Sequence, residues 1–289
     1  MKSFRHIISI LAFLAYAMLL SGQERVNIYP ADSSLDNVTL EIYAADNPKA
    51  AVVVCPGGSY CWLDYEGEGV EVAKFLQQND ISAFVLRYRV AGWWAWFTHY
   101  RALFRGNIAP DMYNDGQMAL QWVAANASRY GINPSTIGII GFSAGGHMAM
   151  SQALYPGKVR PSFVAPIYPV VTMSADCVHK RSRRGLLGEH RTRTAERMNQ
   201  WSLEKQVTKD CPPTFLVNCM DDPVVDYRNS VLLDSALTAA GVEHVYIQYK
   251  TGGHGFGVSE KKGSEECRTW KYRFLKWMEE TITKTIEKR

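Results

Sequence analysis

The segment Gly141-Phe142-Ser143-Ala144-Gly145-Gly146-His147 places one serine between glycines two residues before it and two after it. A serine hydroxyl is a weak nucleophile until a neighbouring base takes its proton. It is best presented on a strained strand-to-helix turn that lifts it clear of the chain. Glycines at these two spacings let the backbones on either side of such a turn pass closely. The helix that opens at Ala144 would offer its free N–H groups to developing negative charge. The chemistry implied is attack on an acyl carbonyl, which also needs a base, an acid to orient that base, and donors for an oxyanion.

The expected base is His254, in the glycine-rich run Thr251-Gly252-Gly253-His254-Gly255-Phe256-Gly257. Such a loop frees an imidazole to reach across the top of a sheet. His147, the rival, opens the helix after the serine and is expected to cap or pack there. The acid is sought in Met220-Asp221-Asp222-Pro223-Val224-Val225. Either aspartate could serve; Asp222, followed by two residues and Val, is preferred, with Asp221 solvated or shaping the loop. In Pro56-Gly57-Gly58-Ser59-Tyr60 the backbone N–H groups of Gly58 and Ser59 are assigned as oxyanion donors, joined by that of Ala144.

These loops need elements to hold them. Short apolar runs predict strands over Val38–Tyr43, Ala51–Cys55, Ile81–Tyr88, Thr136–Ile140, Phe163–Tyr168, Thr214–Asn218 and His244–Tyr249. Between them, helical spacing predicts helices over Gly67–Gln78, Asp111–Tyr130, Ala144–Tyr155 and Tyr227–Ala240, with a terminal helix from about Glu265. The strands are apolar almost throughout, as strands covered on both faces are. Alternation of this kind predicts an α/β fold, a doubly wound and mostly parallel sheet with helices on both faces. The loops at the carboxyl ends of its strands would carry the chemistry. Ser143, Asp222 and His254 each follow a predicted strand, and so does the loop Pro56–Tyr60.

At 289 residues with 47% hydrophobic residues, the chain can fill a substantial core, and no compositional break divides it. Its 32 basic and 28 acidic residues are too evenly matched for a nucleic-acid binder. Residues 1–22 read as a signal peptide: Lys2 and Arg5 precede the apolar run Ile7–Leu20, and Ser21-Gly22 lead into Gln23-Glu24-Arg25. Cleavage is expected after Gly22 in preference to the Ala15-Tyr16-Ala17 triplet, leaving one catalytic domain over 23–289. The run of 14 residues is short of the roughly 20 that span a bilayer. The expectation is a secreted or periplasmic protein with no stable membrane insertion. All six cysteines lie beyond residue 22 without zinc-site spacing, and either disulfides or buried free thiols fit them.

The order serine, aspartate, histidine is that of the α/β-hydrolases. Taken with Leu86-Arg87-Tyr88-Arg89 and Pro212-Pro213-Thr214-Phe215, these segments resemble the bacterial α/β-hydrolase family of secreted carbohydrate acetyl and feruloyl esterases, acetylxylan esterases among them. The resemblance runs across nearly all of residues 23–289. It implies hydrolysis of acyl esters on xylan or related glycans through an acyl-enzyme, with no metal and no organic cofactor. Ser59 stands where a third glycine is common in that family, and the stretch Ala91–Asn107 is long and rich in Trp. Tyr60, Trp93, Trp94 and Trp96 are the candidate substrate-binding residues, since aromatic faces stack on sugar or aryl rings. The basic stretch His179–Arg197 is expected to be a solvated helical insertion, with contact to an acidic glycan as the alternative. Two other functions share the fold: a serine peptidase of the prolyl-oligopeptidase kind, which usually carries a large additional domain, and a non-catalytic glycan-binding module.

Overall fold

A computed structural model describes residues 23–31, 34–93, 106–155, 157–189 and 192–287. The segment 1–22, read above as a signal peptide, lies outside them, together with Trp94 and Trp96. Eight strands form one sheet in the spatial order β1-β2-β4-β3-β5-β6-β7-β8. They are β1 (Arg25–Asn27), β2 (Thr39–Tyr43), β3 (Ala50–Cys55), β4 (Ile81–Arg87), β5 (Ile137–Phe142), β6 (Val164–Ile167), β7 (Thr214–Cys219) and β8 (His244–Tyr249). The pairs β1–β2 and β2–β4 are antiparallel, and the other five are parallel.

The predicted strands fall where expected to within one or two residues. The short edge strand β1 has no counterpart among them, because three residues ending in Asn carry no alternation to read. In β3 the period of two is complete. Ala51, Val53 and Cys55 enter one core, and Ala50, Val52 and Val54 the other. The first core is covered by helices α2 (Asp111–Ala125), α3 (Ala144–Leu154) and α6 (Arg228–Ala239). The second is covered by α1 (Glu71–Gln77) and α8 (Trp270–Glu287), whose Trp270, Phe274, Trp277, Met278 and Ile282 form one stripe.

Two predicted helices are divided. Gly67–Gln78 is a π-turn over Glu66–Val70 followed by α1, and the C-terminal helix is a short α7 (Glu265–Arg268) followed by α8. Helix α2 ends at Ala125, and Ala127–Tyr130 continues as a 3₁₀ turn. The basic stretch contains α4 (Lys180–Leu187) and α5 (Ala195–Gln200). Its helical character agrees with expectation, and so does the solvation of α5, which buries no residue, but α4 is corrected. Ser182, Gly185, Leu186 and Leu187 are buried, and Arg183 and Arg197 donate to the carbonyls of Met173 and Ala109. All six cysteines are buried free thiols. Among the described residues no helix is long and apolar enough to cross a membrane.

Strand β3 pairs with β4 on one side and β5 on the other, so the crossover from β3 to β4 and the crossover from β5 to β6 run in opposite directions. The loops after β3 and β5 therefore part at a topological switch point, where an open α/β sheet has its natural crevice.

Candidate active site

Ser143 occupies the turn between β5 and α3 with φ 53° and ψ −118°, a conformation that costs a non-glycine residue free energy. Its surroundings hold it there. The Ser143 N–H donates to the Ile167 carbonyl at 3.0 Å, and its own carbonyl accepts from Gly146, His147 and Val170. Gly141 and Gly145 are required by crowding: a Cβ on Gly145 would lie 2.1 Å from the Cys55 carbonyl oxygen, and one on Gly141 would lie 2.0 Å from that of Gly145.

Loops after β7 and β8 converge on this serine. His254 Nε2 is 2.9 Å from Ser143 Oγ, and His254 Nδ1 is 2.6 Å from Asp222 Oδ2. The Asp222 side chain is 1% exposed, and its other oxygen accepts from the N–H groups of Val224 and Val225. Those two bonds fix the carboxylate and leave Oδ2 for the imidazole. Asp221 points elsewhere, accepting from Gly252 and Gly253 at 3.2 and 2.9 Å. It shapes the loop that carries His254.

The loop after β3, expected to supply the oxyanion donors, runs through three successive residues with positive φ, at Gly58 (130°), Ser59 (56°) and Tyr60 (60°). Among the described residues, none accepts a hydrogen bond from the N–H of Gly58, Ser59 or Ala144. The N–H of Gly57 is occupied, donating to Glu68 Oε2 at 2.8 Å. Tyr60 is a correction. Expected at the substrate surface, it is 1% exposed, with its hydroxyl 2.8 Å from His147 Nδ1. His147 is wholly buried, also bonded to the Trp201 carbonyl, and desolvation lowers its pKa to about 4. It packs at the start of α3, as expected.

The basic segment enters the site from the side. A Cβ on Gly185 of α4 would lie 2.4 Å from the Ser59 carbonyl oxygen, so this helix buttresses the oxyanion loop. Trp93, 62% exposed, stacks on Trp62 with ring centroids 5.1 Å apart, and the Arg181 guanidinium lies 6.0 Å from the Trp62 ring. A cleft of about 450 Å³ is lined there by Trp62, Arg87, Trp93 and Asn107, among others.

Three residues near the site escaped the sequence reading, and a fourth, His179, was read only as the start of the basic stretch. Glu68 and Tyr168 are buried and bonded to each other, and Trp62 lines the cleft. His179, at the start of α4, interacts electrostatically with His254 and Asp222, and burial lowers its pKa to about 4. Tyr168 alone carried a usable signal, since it immediately follows β6 at the carboxyl end of the sheet. Among the described residues no group of three or more His, Cys, Asp or Glu could hold a metal ion.

The family model described as BD-FAE matches residues 40–237, more than two thirds of the chain. The chain belongs to the BD-FAE family. Its fold is that of an α/β-hydrolase. An acetylxylan esterase of Xylanibacter ruminicola is 31% identical over 219 residues, covering 74% of this BD-FAE chain and 43% of the relative. Endo-1,4-beta-xylanase B of Butyrivibrio fibrisolvens is 30% identical, covering 78% and 35%. The chain thus spans less than half the length of these two relatives. Among solved structures, the acetyl ester-xyloside bifunctional hydrolase of Caldicellulosiruptor lactoaceticus superposes with a TM-score of 0.76 at 26% identity, covering 89% of this chain and 96% of that one.

Proposed function

We propose that the chain is a secreted serine esterase that removes acyl groups, acetyl or feruloyl, from plant-type polysaccharides or oligosaccharides. The observation that carries this reading is the pair of hydrogen bonds converging on His254 from Ser143 and Asp222. Ser143 attacks the ester carbonyl as His254 takes its proton. Asp222 holds the imidazole in the tautomer that leaves Nε2 free to accept, and stabilises its cation. The N–H groups of Gly58, Ser59 and Ala144 face the developing oxyanion. His254 then returns the proton to the departing alcohol, and water releases the acyl group by the reverse sequence.

Two features support a carbohydrate substrate. The relatives named above act, by their names, on acetylated xylan or on xylan itself. The Trp62–Trp93 stack beside the oxyanion loop offers an aromatic face of the kind that packs on sugar and aryl rings. Export is supported by Lys2, Arg5 and the apolar run Ile7–Leu20.

Ser143→Ala should lower kcat on 4-nitrophenyl acetate by on the order of 10³ or more while the fold persists. A variant that keeps a tenth of the wild-type rate overturns the assignment. The substrate class is tested by release of acetate or ferulate from a panel of plant polysaccharides, with an aminoacyl anilide as the competing substrate. Turnover of the anilide alone would favour the peptidase. Export is tested by sequencing the N-terminus of protein recovered outside the cytoplasm, which should begin at Gln23.

A further inference from the structure

Glu68 takes no part in the steps above, yet it joins the two loops that carry them. It lies on the π-turn Glu66–Val70, a geometry common at functional sites, and is 3% exposed. Its Oε2 accepts the Gly57 N–H at 2.8 Å, one residue before the oxyanion donors. Its Oε1 accepts the Tyr168 hydroxyl at 2.8 Å, and the Tyr168 oxygen accepts the Gly257 N–H at 3.0 Å. The Tyr168 ring lies 4.7 Å, centroid to centroid, from that of His254. Three hydrogen bonds therefore run unbroken from the oxyanion loop to the histidine loop.

This chain of donors fits the ionised carboxylate. A proton on Oε2 would leave it a weaker acceptor for the Gly57 N–H. A proton on Oε1 would displace the Tyr168 hydrogen, which has no other acceptor among the described residues. Holding that charge in the interior is costly, because among the described residues no cation pairs with it directly. We propose that Glu68, as a carboxylate, is a positioning residue that sets the oxyanion loop and the His254 loop together.

The groups facing Glu68 place its ionisation in the working range. Burial, first, and the like charge of Asp64 raise its pKa to about 7, against His254, the Tyr168 hydroxyl and the Gly57 N–H, which lower it. Tyr88, a buried phenol bonded to the Pro56 carbonyl, also interacts with it. The sign for stability follows. A carboxyl whose folded pKa is raised favours the fold below the unfolded value, and that contribution is lost as pH rises through 7. The charge that completes the network therefore weakens the fold.

The proposal rests on the roles given above to Ser143, His254 and the oxyanion donors, and its test separates the two. Wild type, Glu68→Gln, Tyr168→Phe, their double variant and Ser143→Ala are compared on 4-nitrophenyl acetate from about pH 5 to 9, alongside thermal melts. Glu68→Gln should lower kcat by about 10- to 100-fold and change KM by less than about twofold. The acid limb of kcat/KM should be steeper than one ionisation in the wild type and fall to one in Glu68→Gln. The melting temperature of Glu68→Gln should gain on the wild type as pH rises. Tyr168→Phe keeps the ring over His254 and breaks the chain of bonds, so it should cost about 10-fold, with the double variant less than additive. If Ser143→Ala is inactive but Glu68→Gln keeps the wild-type kcat and acid limb, Glu68 has no positioning role. If Glu68→Gln does not fold, Tyr168→Phe with wild-type kcat and acid limb overturns the proposal equally. If Ser143→Ala stays active, the site reading fails and the proposal falls with it.

Discussion

Gly145 and Gly255 stand near the two groups that would exchange a proton, and they are glycines for opposite reasons. A Cβ on Gly145 would meet the carbonyl oxygens of Cys55 and Pro56 at 2.1 and 2.5 Å, whereas a Cβ on Gly255 would meet nothing within 4 Å. Gly255 is instead required by its φ of 70°. The serine side of the site is located by crowding, with the ends of β3 and β5 and the start of α3 pressed backbone to backbone. The histidine loop is crowded only at its ends, Gly252 against Cys219 and Cys267 and Gly257 against the Gly67 carbonyl; between them it is located by polar tethers, from Asp221 to Gly252 and Gly253 and from Tyr168 to Gly257. Crowded backbone has nowhere to move. A tethered loop can be loosened bond by bond, so its position is the more easily tuned.

The largest effect should come from breaking the crowded side. Gly145→Ala must push the end of β3 away from α3, and carbonyl oxygens cannot yield as a flexible side chain does. A loss of about 4 kcal/mol or more is expected, read as a fall in melting temperature of roughly 10 °C or more, with activity lost as well. A normal melting temperature would mean that β3 and α3 are not locked together.

The acid pair sharpens the tethered side. Asp222→Asn should lower kcat by on the order of 10³ to 10⁴, because the imidazole loses the partner that sets its tautomer. Asp221→Asn keeps an acceptor for at most one of its two N–H donors, and it should cost only about 10-fold. The reverse ranking would move the orienting role to Asp221. Smallest of all, Gly255→Ala should cost about 1 kcal/mol of backbone strain and a few degrees in melting temperature, with kcat reduced less than about 10-fold. A loss as severe as that of Gly145→Ala would show that the loop is packed where the structure shows open space.

The sequence by itself determined seven of the eight described strands, the strand-to-loop order, Ser143 and His254, and it narrowed the acid to Asp221 or Asp222 with Asp222 preferred. Apolar runs and helical spacing are local, so one chain suffices to read them. The switch point then gathers the loops after the strands whichever residues they carry, which is why Ser143, Asp222 and His254 could be named before their distances were known. Gly58, Ser59 and Ala144 were assigned on the same reasoning, because their N–H groups belong to the backbone of those loops.

Only the tertiary structure decided the rest. Tyr60 and Glu68 sit in neighbouring turns, one aromatic and one acidic, and their types suggest a binding surface and a solvated charge. Tyr60 is buried where α4, far away in sequence, lies against its loop, and Glu68 where the neighbouring π-turn folds back under that loop and meets the distant Tyr168. The basic stretch reads as solvated for the same reason: the carbonyls of Met173 and Ala109, which take up Arg183 and Arg197, are brought near only by folding. Glu68 shows the limit most clearly. Its partners Gly57 and Tyr168 lie 11 and 100 residues away, and nothing in one chain records which distant donors a carboxylate will meet once burial has removed water as the alternative.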